Sequence, residues 1–180
     1  MKIKRKWRKR ELDKKLIAVL WFLLKFNLLA IPMYIVMYAQ PSLPMLQSFV
    51  ASSVNAVLNL IGYNSILEGY VVKFSTSSAT KLSIVEAEMN FDCTGWKSVY
   101  ALFALTLATS AMWKKKLKFL AIALPTIFVV NIFRIVTTIA ATISFGLAYL
   151  ELVHNLLWQE GLILTVIAIW YLWLRRENLL

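Results

Sequence analysis

The chain has 180 residues, a formal charge of +11 and a mean hydropathy of +0.68, with 60% hydrophobic and 16% charged residues. A soluble domain gives about a quarter of its positions to charge, so the composition argues against a soluble helical bundle. The cations are also clustered, which argues against a nucleic-acid surface: residues 1–15 hold nine basic and two acidic side chains, whereas residues 40–95 hold two and four.

The first apolar stretch runs from Leu16 to Tyr38. It is too long for a signal-peptide core, and Ala39-Gln40-Pro41 makes a poor cleavage site, so an uncleaved transmembrane helix is expected. Lys25 lies inside it, to snorkel or to face a neighbouring helix, and Pro32 is a potential kink. The basic segment before it places its start in the cytoplasm. Pro44 to Gly62 follows, with Leu46, Phe49, Val50, Val54, Val57, Leu58 and Ile61 at helical spacing among polar residues, the pattern of an amphipathic helix. If it crossed the bilayer, the next helix would deliver Lys114, Lys115, Lys116 and Lys118 to the outside, against the positive-inside rule. An amphipathic helix on the outer face is therefore expected.

Residues 62–92 read as a small extracytoplasmic cap. Tyr70–Phe74 and Lys81–Val85 are strand-like and form a β-hairpin, which cannot stand exposed to hydrocarbon because its edge groups would go unpaired. Further crossings are expected at 96–113, 117–139 and 159–174, with the lysine cluster in the turn between the first two of these. Ala140 to Leu157 is interrupted by Gly146, Glu151, His154 and Asn155, which suits a re-entrant or interfacial segment. The expected fold is one all-α integral membrane helical bundle over 1–180, with about four crossings and the β-hairpin cap. Both termini are then cytoplasmic in a multi-pass plasma-membrane protein, and Cys93, Arg134 and His154 share the outer face.

Those three residues carry the chemistry. Cys93 is the only cysteine, which excludes an intramolecular disulfide and a thiolate metal cluster. It is either an inert buried thiol or a nucleophile at a helix start, where backbone N–H groups and the dipole favour a thiolate. Thr94 and Gly95 place the first helical turn beside it, and Gly95 permits close backbone approach. Asp92 opposes a thiolate if it lies near the sulfur, or caps the helix instead. An arginine in an apolar helix pairs, lines a cavity or snorkels. Asn131, one turn before Arg134 on the same side, favours a polar pocket wall. His154, the only histidine, is either a structural residue or a base, with Glu151 one turn earlier able to orient it. Together the three make a nucleophile, a base and an electrostatic stabiliser.

Cys93-Thr94-Gly95, then Asn131-Ile132-Phe133-Arg134-Ile135, then His154 between apolar helices resembles the exosortase and archaeosortase family, over the chain from about Gly62 to the last helix. The resemblance implies a membrane-embedded cysteine transpeptidase of minimal length, with Cys93 as nucleophile and Arg134 and His154 as the other catalytic residues. It implies secreted substrates ending in a short motif, a transmembrane helix and a basic tail, and transfer through a thioester to an acceptor, with a lipid amine one candidate. Membrane lipids are partners; nucleic acid, metal and organic cofactors are not required. Two readings stay open beside it: an interfacial cysteine protease that only hydrolyses, and a non-catalytic membrane assembly or substrate-binding protein. A transporter is disfavoured, since four spans with one intramembrane charge offer little for alternating access.

Overall fold

A computed structural model describes residues 2–78, 81–146 and 161–178. These residues form five α-helices, a short 3-10 turn and a three-stranded sheet. Helix α1 spans Lys2–Ala39, α2 Pro44–Leu60, α3 Trp96–Ala108, α4 Trp113–Phe145 and α5 Leu162–Arg176; the 3-10 turn is Phe91–Thr94.

Among the described residues, two helices are long and apolar enough to cross a membrane: 27 residues over Asp13–Ala39 and 33 over Trp113–Phe145. Helices α3 and α5 are shorter, at 13 and 15 residues, and rise about 20–23 Å at 1.5 Å per residue. Helix α1 continues unbroken through Pro32, and Lys25 is exposed on it. It meets the bundle where the Tyr100 hydroxyl donates to the Leu29 carbonyl oxygen at 2.8 Å and where Phe22 stacks on Trp170 of α5.

Helix α4 joins two layers. Its first half packs Ala123 and Ile127 with Leu102 of α3 and Val166 of α5. Its second half packs Ile132, Ile135, Val136 and Ile139 against Val50, Val54 and Leu58 of α2 and Val72 and Phe74 of the sheet. The bundle and the cap thus share one axis, and the Cys93 turn lies on the cap side.

The lysines expected in a turn instead open α4. The connection is Thr109–Met112, and Lys114 to Lys116 fall in the first helical turn, where the macrodipole disfavours cations. Two local bonds offset this. Lys115 pairs with Glu177 beyond α5, and the buried Lys116 donates to the Leu107 carbonyl oxygen at 2.9 Å, satisfying an orphan acceptor at the end of α3.

The end of α4 also differs from expectation. It runs past Ile139 to Phe145, so Ala140–Phe145 belongs to this helix, and Gly146 (φ +86°) follows it. The hydroxyls along this stretch bond within the helix: those of Thr138 and Thr142 each donate to the carbonyl oxygen four residues earlier, at 2.9 Å. The remainder of the expected re-entrant segment, with Glu151 and His154, lies outside the described residues.

The expected hairpin is part of a larger sheet. Strands β1 (Ser65–Glu68), β2 (Val71–Ser78) and β3 (Lys81–Glu88) are antiparallel in the order β1-β2-β3. The first two are joined by a two-residue turn in which Gly69 takes φ +63°, the left-handed conformation that tight hairpins require. Val72 and Phe74 face the core, while Lys73 bridges Glu68 and Glu86 across the three strands. Those two carboxylates hold the Lys73 ammonium above its ordinary ionisation range.

Candidate active site

Cys93 sits in the four-residue turn that links β3 to α3. Asn90 opens that turn in an extended conformation, and its side-chain oxygen accepts from the Cys93 backbone N–H at 3.0 Å. This is an N-cap, built from the residue type and spacing that such caps require. The Asn90 carbonyl oxygen accepts from the same N–H at 3.0 Å. Upstream, the buried Gln47 of α2 donates to the Met89 carbonyl oxygen at 3.0 Å and ties the end of the sheet to the core.

Gly95 closes the turn with φ +74° and ψ +11°, and its carbonyl then accepts from Ser98 and Val99 to begin α3. Two constraints meet at this position. The backbone is left-handed, and a Cβ added here would lie 2.9 Å from Cγ of Asn131. Only glycine satisfies both. Asn131 exploits the closeness: its Nδ2 donates to the Cys93 carbonyl oxygen at 2.9 Å, fastening the turn to α4. The other amide atom, Oδ1, is buried and has no hydrogen-bond partner among the described residues.

Arg134 follows one helical turn after Asn131. It is 6% exposed, so the guanidinium is packed inside rather than snorkelling to the surface. Its positive charge acts on the Cys93 thiol and favours the thiolate, as does a backbone hydrogen bond at Asn90. Burial outweighs both. The Cys93 thiol is pushed above its ordinary range, chiefly by desolvation and further by the carboxylates of Asp92 and Glu88. The Cys93 N–H is taken up by the Asn90 cap, and burial shifts the balance at the sulfur toward the thiol.

Asp92 is held away from a capping role. It pairs with Lys97 at 3.0 Å and accepts from Trp96 Nε1 at 3.4 Å, while Trp96 stacks on Phe91 with centroids 5.1 Å apart. Thr94 is buried, and its hydroxyl donates to the Phe91 carbonyl oxygen at 2.7 Å, so it shapes the turn. Cys93, Thr94, Gly95, Asn131 and Arg134 are thus one constellation; Glu151 and His154 lie outside the described residues. Sequence reasoning missed Asn90 and Gln47. An Asn three residues before Cys93 is a recognisable cap signal, whereas nothing local marks Gln47. Among the described residues, no three His, Cys, Asp or Glu side chains are placed to hold a metal ion.

No curated protein sequence and no solved structure matches the chain. A family model does, over residues 12–157, a span that takes in the Cys93 turn and the Asn131–Arg134 pair. Its description is transmembrane exosortase (Exosortase_EpsH), and the chain belongs to that family.

Proposed function

We propose that the chain is a single-domain membrane cysteine transpeptidase that removes the C-terminal sorting signal of secreted proteins through a thioester on Cys93. The observation that carries this reading is an interior arginine whose charge acts on the thiol of the only cysteine in the chain and favours its thiolate. The bond from Asn131 to the Cys93 carbonyl supports it, since it fixes the turn against the helix that carries Arg134.

In the proposed reaction the substrate's own helix enters from the bilayer and brings its recognition motif to the outer boundary, with its basic tail left in the cytoplasm. Because burial raises the Cys93 pKa, attack calls for a base, and His154 takes that role. The S–H proton passes to the imidazole as the S–C bond forms, and Arg134 stabilises the negative charge that develops on the carbonyl oxygen. The scissile C–N bond then breaks, the imidazolium protonates the departing amine, and the substrate remains as a thioester. An acceptor amine attacks that thioester, forming a new amide and returning the thiol. Four crossings, cytoplasmic termini and an extracytoplasmic active site complete the reading.

The test is to mix the full-length protein with a secreted substrate that ends in a motif, an apolar helix and a basic tail, and to trap the covalent intermediate. A hydroxylamine-sensitive adduct on Cys93, absent in Cys93→Ala, is expected. A mature product with normal yield from Cys93→Ala overturns the proposal. A product extended by the acceptor indicates transfer, and a free carboxylate indicates hydrolysis.

A further inference from the structure

Away from the Cys93 turn, the lysine-bearing start of α4 and the end of α5 leave a cleft of about 630 Å³ between them. Phe119 and Trp173 line it and stack with ring centroids 4.5 Å apart. The walls are mainly apolar, with Ile122 and Thr126 from α4 and Ile169 and Leu172 from α5. The Thr126 hydroxyl donates back to the Ile122 carbonyl oxygen, so it adds no unmet donor to the wall.

The rim is charged and unbalanced. Lys118 and Arg176 line the cleft and are exposed. The acidic residue there, Glu177, is already paired with Lys115, and neither Lys118 nor Arg176 has an ion-pair partner among the described residues. From Lys118 to Thr126 the helix rises about 12 Å, close to the depth of one leaflet's hydrocarbon, about 15 Å. A slot of that depth, apolar inside and cationic at headgroup level, matches a phospholipid with an acidic headgroup. A helix followed by a basic tail would meet two uncompensated cations there.

The geometry points to this cleft as a binding site for one anionic phospholipid of the leaflet that faces the basic helix ends. The phosphate lies between Lys118 and Arg176, and one acyl chain runs along Ile122, Thr126, Ile169 and Leu172. The site stands apart from Cys93 and does not depend on the proposed reaction.

Native mass spectrometry of the full-length protein, titrated with phosphatidylglycerol or phosphatidylcholine, tests this. Phosphatidylglycerol is expected to be retained about tenfold better, and Lys118→Gln with Arg176→Gln to lower its retention about twentyfold, or about fivefold per charge. The control pair Lys114→Gln with Arg175→Gln, exposed but outside the cleft, is expected to have a much smaller effect. Ile122→Trp, which fills the slot and leaves the charges intact, should also displace the lipid; if the double charge variant fails to fold, this variant and Lys118→Gln alone decide. Equal retention of the two lipids, equal losses from the two charge pairs, or no effect of Ile122→Trp overturns the assignment. So does a photo-reactive residue at Ile169 that crosslinks to protein instead of lipid.

Discussion

The side-chain amide of Asn131 donates to the backbone carbonyl oxygen of Cys93 at 2.9 Å, joining the middle of α4 to a turn 38 positions earlier. The residue that carries the sulfur is thereby fastened to the helix that carries Arg134. Removing the donor is expected to loosen the turn without removing either reacting group. Asn131→Ala and Asn131→Asp should each lower stability by about 1–3 kcal/mol, the usual range when a buried polar group loses its partner. Processing should fall about 10- to 100-fold, as a misplacement near 1 Å does in a preorganised site. Thermal unfolding and the rate of substrate processing measure the two effects, and wild-type rates in both variants would show that the bond does not position Cys93.

Gly95 answers to the same asparagine. Gly95→Ala places a Cβ 2.9 Å from Asn131 Cγ on a backbone with φ +74°, so it incurs a left-handed penalty of about 1 kcal/mol for a non-glycine residue and a steric one. The second penalty depends on Asn131 and the first does not. In an Asn131→Ala background, Gly95→Ala should therefore be less destabilising than in the wild type, with a coupling of about 0.5–3 kcal/mol. A double-mutant cycle from chemical denaturation reads the coupling directly, and a value of zero would mean that the two side-chain positions do not meet.

Cys93 ionises above the ordinary thiol range because burial disfavours its charged form. Its thiolate fraction at neutral pH is thus smaller than that of an unburied cysteine, and alkylation by a small neutral reagent should be slow there. The rate should climb as pH rises through the elevated pKa. Arg134 acts in the opposite sense, favouring the thiolate, so Arg134→Met should move the alkylation profile to still higher pH. Asp92→Asn removes a charge that disfavours the thiolate and should move it lower. Arg134→Lys keeps the charge and loses the planar fork; its alkylation profile should stay near wild type while processing falls at least about 100-fold, a loss of the size seen when an oxyanion donor is removed. A profile unchanged in Arg134→Met would show that the guanidinium does not act on the sulfur.

Much of this site was legible because its parts obey local spacing rules. Asn131 and Arg134 share a helix face by their three-residue separation, and Cys93-Thr94-Gly95 marks the junction of a polar segment with an apolar helix. The amphipathic pattern of α2 was also readable, since Val50, Val54 and Leu58 are all buried. Gln47 lies on that same buried face against its polarity, because its partner is the backbone carbonyl of Met89, 42 positions away. No periodicity reports such a bond. Strand β1 was missed for a related reason: Ser-Ile-Leu-Glu is short and half exposed, and its pairing with β2 depends on the turn at Gly69. The run of α4 on to Phe145 was hidden because Gly146, Glu151, His154 and Asn155 break the apolar pattern after Ile139, while the back-bonds of Thr138 and Thr142 leave no periodic mark.

The orientation of the chain can be tested from the length of α4. Lys116 and Arg134 are separated by about 27 Å of helical rise, close to the thickness of the hydrocarbon core, about 30 Å. In the proposed topology these ends of the helix lie on opposite sides of the membrane, with the lysine end in the cytoplasm by the positive-inside rule. That assignment requires α2 to stay on the outer side. In a Cys93→Ala background, Asn64→Cys beside the sheet and Lys114→Cys at the start of α4 are both exposed positions. A membrane-impermeant maleimide applied to intact cells should label position 64 and leave position 114 untouched until the membrane is permeabilised. If α2 crosses instead, the two results exchange, because the cap then lies with the cytoplasm and the lysines emerge outside. That exchanged pattern would put Cys93 on the side where a secreted substrate's motif never arrives, and the proposed transpeptidase reaction would fail with it.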